Sequence, residues 1–153
     1  MGRIIAIDYG LKRTGLAVTD PLKIIATGLT TVPTPTLFNF LKKYFQEESV
    51  ELILIGMPTN LDDSDTHATP LVRQAINRLR KEFPQIPVQT ADERFTSKLA
   101  TRSMVESGLK KKDRRNKALV DEIAATILFL GKGNMRSVSI KFRTMKCTFS
   151  GRI

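Results

Sequence analysis

Three apolar, β-branched runs stand at the head of the chain, residues 3–8, 14–19 and 24–32, with only five and four residues between them. A connection that returns a strand parallel to its predecessor takes about a dozen residues or more. Links this short leave one arrangement, a three-stranded antiparallel meander. The first run, Arg3-Ile4-Ile5-Ala6-Ile7, ends on Asp8-Tyr9-Gly10, and the second closes at Asp20-Pro21. Both endings carry turn residues.

Beyond residue 33 the hydrophobic period changes. Pro35 suits a first helical turn capped by Thr34, and Leu37, Phe38, Leu41, Tyr44 and Phe45 recur at helical spacing. Residues 51–56 read as another buried strand. Thr69-Pro70 opens a second helix with Leu71, Val72, Ala75, Ile76 and Leu79 on one face, and Pro84 and Pro87 bracket its end. A strand over 86–91 leads into Asp92-Glu93. Thr96 caps a helix running to about Ser107, where Gly108 ends it. A last helix over 116–130 turns Val120, Ile123, Ala124, Ile127 and Leu128 inward.

The order β-β-β-α-β-α-β-α-α describes an α/β fold, in which the meander and two α/β crossovers build a mixed five-stranded sheet with helices packed on its faces. Of the 153 residues, 41% are hydrophobic, enough for one packed domain, which we assign to 1–134. Residues 135–153 differ: basic, Ser/Thr-rich and without a helical stripe. The alternation of Val138, Ile140 and Phe142 in this tail fits either an edge strand or a segment that orders on binding. No apolar run approaches the ~18–20 residues of a membrane helix. The N-terminus meets an acid too early for a signal peptide, and the single Cys147 closes no internal disulfide. The expectation is a cytoplasmic protein without a membrane partner.

The formal charge of +10 is confined to two segments. Residues 1–93 hold ten basic and eleven acidic side chains. Residues 94–117 hold nine basic ones, Arg94, Lys98, Arg102, Lys110, Lys111, Lys112, Arg114, Arg115 and Lys117, against Glu106 and Asp113. The tail adds Arg136, Lys141, Arg143, Lys146 and Arg152 with no acid. A basic patch on an otherwise near-neutral domain marks a polyanion partner, usually nucleic acid, or else a solvated face kept basic for solubility.

In a parallel crossover sheet, ligands collect at the carboxyl ends of the strands. If strands 3–8, 51–56 and 86–91 run parallel, then Asp8, the Gly56-Met57-Pro58 turn and Asp92-Glu93 share that edge. Asp121 interrupts the apolar pattern of the last helix one turn before Ala124-Ala125, small residues that allow a close approach to the sheet. Each acid alone reads as a turn or helix-start residue. Three hard oxygen ligands on separate elements, beside a basic segment, suit Mg²⁺ or Mn²⁺ acting on phosphate.

Asp8-Tyr9-Gly10 with Lys12, Arg13, Gly15, Ala17 and Asp20-Pro21 resembles the opening of the YqgF or RuvX family of Holliday-junction-resolvase-like proteins. The resemblance continues through Gly56-Met57-Pro58 with Asn60, then Asp92-Glu93-Arg94-Phe95-Thr96-Ser97, and ends at Asp121-Glu122-Ile123-Ala124-Ala125-Thr126-Ile127-Leu128. It covers residues 1–132 in order and spacing. It implies an RNase H-like fold and a metal-dependent nuclease that processes the 5′ end of the small-subunit rRNA precursor or resolves DNA junctions. Carried over by position, Asp8, Glu93 and Asp121 become the catalytic, metal-holding carboxylates. Asp92 alternates with Glu93, so only one of the two should face the site. Asp63 departs from the glycine usual in the family and makes the loop 59–66 acidic.

Lys12 and Arg13, just past Asp8, are placed for a phosphate. With Arg94, Lys98, Arg102, Lys110, Lys111, Lys112, Arg114, Arg115 and Lys117 they are candidate contacts to the nucleic-acid backbone, setting affinity and register rather than sequence choice. The expected partner is structured RNA, or branched DNA, bound by a monomer or a homodimer. Gly10 and Gly15 serve either phosphate approach or the turn itself. His67 reads as a solvated loop residue, and Phe38, Phe40, Tyr44 and Phe45 as core rather than base-stacking platforms. Two other readings compete. One is a non-catalytic nucleic-acid-binding factor. The other is a sugar-kinase or actin-like ATPase, whose two lobes this chain is too short to supply.

Overall fold

The computed structural model describes residues 2–22, 25–57, 69–92, 111–112, 125, 139–142 and 145–147. The meander is present: β1 (Arg3–Asp8) pairs antiparallel with β2 (Arg13–Thr19), and β2 pairs antiparallel with β3 (Ile25–Pro33). A single 3-10 turn over Thr34–Thr36 leads into α1 (Leu37–Glu47). The chain returns as β4 (Val50–Met57), parallel to β1, then passes through α2 (Thr69–Glu82) to β5 (Val88–Asp92), parallel to β4. Strands β5, β4, β1 and β3 therefore all direct their carboxyl ends to one edge of the sheet.

The five expected strands lie in the order β5-β4-β1-β2-β3, and the sheet continues past them. Within the tail, β6 (Ser139–Phe142) runs parallel to β3, and β7 (Met145–Cys147) folds back antiparallel to β6. The pairing takes up Ile25–Thr27 at the start of β3, so the added strands lie toward the end of the sheet away from Asp8.

Two local expectations need correction. Thr34 does not cap α1: Pro33 precedes the 3-10 turn, and neither it nor Thr36 makes a side-chain capping bond. The Thr34 hydroxyl is used elsewhere, as described below. The fifth strand starts at Val88 rather than 86, because the Ile86 N–H donates to the Phe83 carbonyl at 3.1 Å and turns the chain out of α2.

The sheet buries different chemistry on its two faces. On one, Ile5, Ile7, Leu16, Val18, Ile53, Ile55 and Val88 meet the apolar stripes of both helices, among them Leu37, Phe38 and Leu41 of α1 and Val72, Ile76 and Leu79 of α2. Side chains this size each contribute about 1.5–3 kcal/mol when fully buried. The helices also hold each other. Phe45 meets Phe83 edge-on at 4.8 Å, and the Arg78 guanidinium lies 3.8 Å over the Phe38 ring while its Nε bonds Glu82 at 2.8 Å. Lys42 of α1 reaches the other Glu82 oxygen at 3.8 Å.

The opposite face is lined by small residues. Ile4, Ala6, Ala17, Ala26, Leu54 and Ala91 form a second cluster with Ala125, a helical residue that is fully buried. Four sheet alanines and Ala125 sit here beside the larger Ile4 and Leu54, with the partly buried Leu52 packed against them.

Candidate active site

Asp8 is the last residue of β1 and half-buried, with a partner of its own. It follows Ala6 by two residues, so strand alternation puts it on the small-residue face. The register then fixes its neighbours. Asp8 pairs with Gly15 of β2, which pairs with Thr31 of β3. On the other side Ile7 pairs with Ile55, so Asp8 falls beside Gly56, which pairs with Ala91 of β5. Across the sheet the row reads Thr31, Gly15, Asp8, Gly56, Ala91. The carboxylate thus stands between two glycines, and neither adjacent strand raises a side chain beside it.

Asp92 pairs with Met57, which packs with the large-residue cluster, so its register position belongs to the opposite face from Ala91. Glu93 and Asp121 lie outside the described residues, as do Arg94, Lys98, Arg102, Lys110, Arg114, Arg115, Lys117 and His67. Among the described residues, no three His, Cys, Asp or Glu side chains converge. Lys111 and Lys112 form an exposed turn.

Lys12, in the turn between β1 and β2, and Arg13, the first residue of β2, are exposed, and Leu11 beside them is 71% exposed. This turn is closed tightly. A Cβ built on Gly10 would collide with the Arg13 carbonyl oxygen, so no other residue fits there without moving the backbone. The Gly10 carbonyl in turn accepts the Thr34 hydroxyl at 2.6 Å. Local sequence patterns gave no signal for Thr34 in this role, since its partner lies 24 residues away.

The mixed sheet, with an acid at the carboxyl end of β1, has the RNase H-like architecture. Solved structures agree on the fold. RuvC of T. thermophilus, in complex with a Holliday junction substrate, superposes with a TM-score of 0.54 at 16% identity, over 88% of this chain and 98% of that one. The Fowlpox virus resolvase, also with junction DNA, gives 0.50 at 12% identity, over 84% and 94%. The particular family follows from sequence: the family model described as RuvX, Holliday junction resolvase, matches residues 2–131, and the chain belongs to that family of nucleases. Relatives from Christiangramia forsetii and Bacteroides thetaiotaomicron are 55% and 56% identical over 128 residues, 84% of this chain and 95% and 93% of theirs. Each is named "Putative pre-16S rRNA nuclease". The tail strands β6 and β7 lie beyond the family match. Among the described residues, no helix is long and apolar enough to cross a membrane.

Proposed function

We propose that this chain cleaves phosphodiester bonds in structured RNA, trimming the 5′ end of the 16S rRNA precursor in the cytoplasm, with Asp8, Glu93 and Asp121 jointly holding Mg²⁺ or Mn²⁺. The donor chemistry fits the ion, since hard divalent cations select carboxylate oxygens. The observation that carries the reading is the bare sheet face around Asp8, flanked by Gly15 and Gly56. Strand β5 lies two strand spacings from β1, roughly 10 Å. An acid two residues beyond Ala91 on a continuing strand meets no side chain at the Gly56 position on its way to Asp8, and Glu93 is that residue. Asp121 precedes Ala125 by four residues, one turn of the helix expected from the sequence, and Ala125 is packed on this same face. Each acid is therefore one structural repeat from an alanine of one cluster: Ala6, Ala91 and Ala125.

When bound, the cation supplies an activated water and offsets charge on the phosphate under attack. The three carboxylates fix where that happens, and their mutual repulsion makes the site costly without the ion. Lys12 and Arg13 hold a backbone phosphate beside Asp8. The basic segment from Arg94 to Lys117, including the exposed Lys111 and Lys112, extends that track and orients the strand.

The test is cleavage of an in vitro transcribed 16S leader RNA with Mg²⁺ or Mn²⁺, with a four-way DNA junction as the alternative substrate. Asp8→Asn should abolish cleavage while the circular dichroism spectrum and melting temperature stay near those of the parent. Equal activity in the mutant refutes the site. Preferential cutting of the junction would replace RNA by branched DNA as substrate. Salt-sensitive RNA binding with no cleavage would mark a non-catalytic factor.

A further inference from the structure

We infer that Thr34 is a positioning residue for substrate binding, holding the turn that presents Lys12 and Arg13 beside Asp8. Three bonds meet at this residue. Its N–H donates to the Lys12 carbonyl at 3.1 Å, its hydroxyl donates to the Gly10 carbonyl at 2.6 Å, and its Oγ1 lies 3.0 Å from Thr14 Oγ1. A hydroxyl has one proton to give. Thr34 spends it on Gly10, so the buried Thr14 is the donor in the hydroxyl pair. The chain of donors runs Thr14 to Thr34 to Gly10, with direction set at every step.

The geometry concentrates this on one short segment. Residues 9–12 link two strands whose last pair here is Asp8 with Gly15; exposed Lys12 ends the link and exposed Arg13 opens β2. The Arg13 carbonyl closes against Gly10, and Thr34 ties down the carbonyls of both Gly10 and Lys12 from the end of β3. Thr34 reaches them because Pro33, at φ −57° and ψ 131°, is still extended, and the 3-10 turn then swings the chain across the meander. Asp8 itself is fixed by strand pairing and does not depend on this clasp. Losing the clasp should therefore cost substrate affinity and leave the chemical step intact.

This inference rests on the reading of the Asp8 edge as the cleavage site. The two are separable, because RNA binding can be measured in the cleavage-dead Asp8→Asn background, where only the clasp is in question. Thr34→Val keeps the shape and removes the hydroxyl. It should raise KM for the leader RNA, and its Kd in the Asp8→Asn background, by roughly three- to tenfold, with kcat within about twofold. Thr34→Ser should restore parental values. Gly10→Ala, which drives the turn off the Arg13 carbonyl, should reproduce the affinity loss from the other side.

A purely structural tether would give a different double-mutant cycle. In a Lys12→Gln/Arg13→Gln background, Thr34→Val should add less than about twofold to Kd, because the groups it positions are gone. The full penalty persisting there would overturn the inference, as would an unchanged KM in Thr34→Val or a kcat loss without a KM change. If Thr34→Val does not fold, Gly10→Ala through the same cycle decides.

Discussion

Enlarging Ala125 tests whether packing on this face of the sheet sets the position of the proposed catalytic acids. Ala125 is fully buried against a patch that includes Ala6, Ala17, Ala26 and Ala91. Leucine adds three carbons at a fully buried position already packed by those alanines and by Ile4 and Leu54, so Ala125 must shift away from the sheet. Overpacking of this kind costs about 1–3 kcal/mol of stability. On the proposed site, a shift of about 1 Å at Ala125 carries Asp121, four residues earlier in the chain, away from Asp8, and misplacement on that scale costs on the order of 10²-fold in rate. Leu79→Ala on the opposite face is the control. Leu79 is fully buried under α2, and its truncation should cost about 2–5 kcal/mol, as much or more. It should nevertheless leave the single-turnover rate of the folded enzyme within about twofold, because that face carries no proposed catalytic group. Urea unfolding gives each stability, and single-turnover cleavage of leader RNA at a temperature where both variants are folded gives each rate. Parental cleavage by Ala125→Leu, or an equal loss in Leu79→Ala, would refute the coupling.

Three further outcomes are expected. Gly56→Val raises a branched side chain beside Asp8 and should lower cleavage by roughly 10²-fold, with Mn²⁺ binding followed by electron paramagnetic resonance falling in parallel; unimpaired binding would show that the bare face is not used. Neutralising Lys12 or Arg13 should weaken RNA binding uniformly across sequences and reduce the slope of log Kd against log salt by about one each, read by filter binding. The hydrogen bond from Arg78 holds the Glu82 carboxyl below its ordinary 4.5 against a smaller opposing effect of burial. A depressed carboxylate stabilises the fold above its unfolded value and loses that contribution as pH falls through the folded one, so Glu82→Gln should lower the melting temperature at neutrality, flatten the profile below about pH 5 and converge with the parent at the acid end.

The meander was legible because short links exclude every alternative, and α1 and α2 because their stripes repeat cleanly. Asp8 was legible as an acid closing an apolar strand. What made its surroundings a site was not. Gly15 and Gly56 are 41 positions apart, and only the β1–β2 and β1–β4 registers set them on either side of one carboxylate. Thr34 was misread for a related reason: threonine before proline satisfies a local capping rule, while its true acceptor belongs to another hairpin. The tail showed alternation at Val138 and Ile140, yet alternation does not name a partner strand, and β6 found the one free edge of the meander at β3.

In the proposed site, three acids distant in sequence share one cation. Crystals soaked in Mn²⁺ and measured at the manganese edge test it directly. A shared site should give an anomalous peak enclosed by the carboxylates of Asp8, Glu93 and Asp121, lost in Asp8→Asn crystals treated alike. Carboxylates too far apart to share an ion, or a peak that survives the substitution, would contradict it.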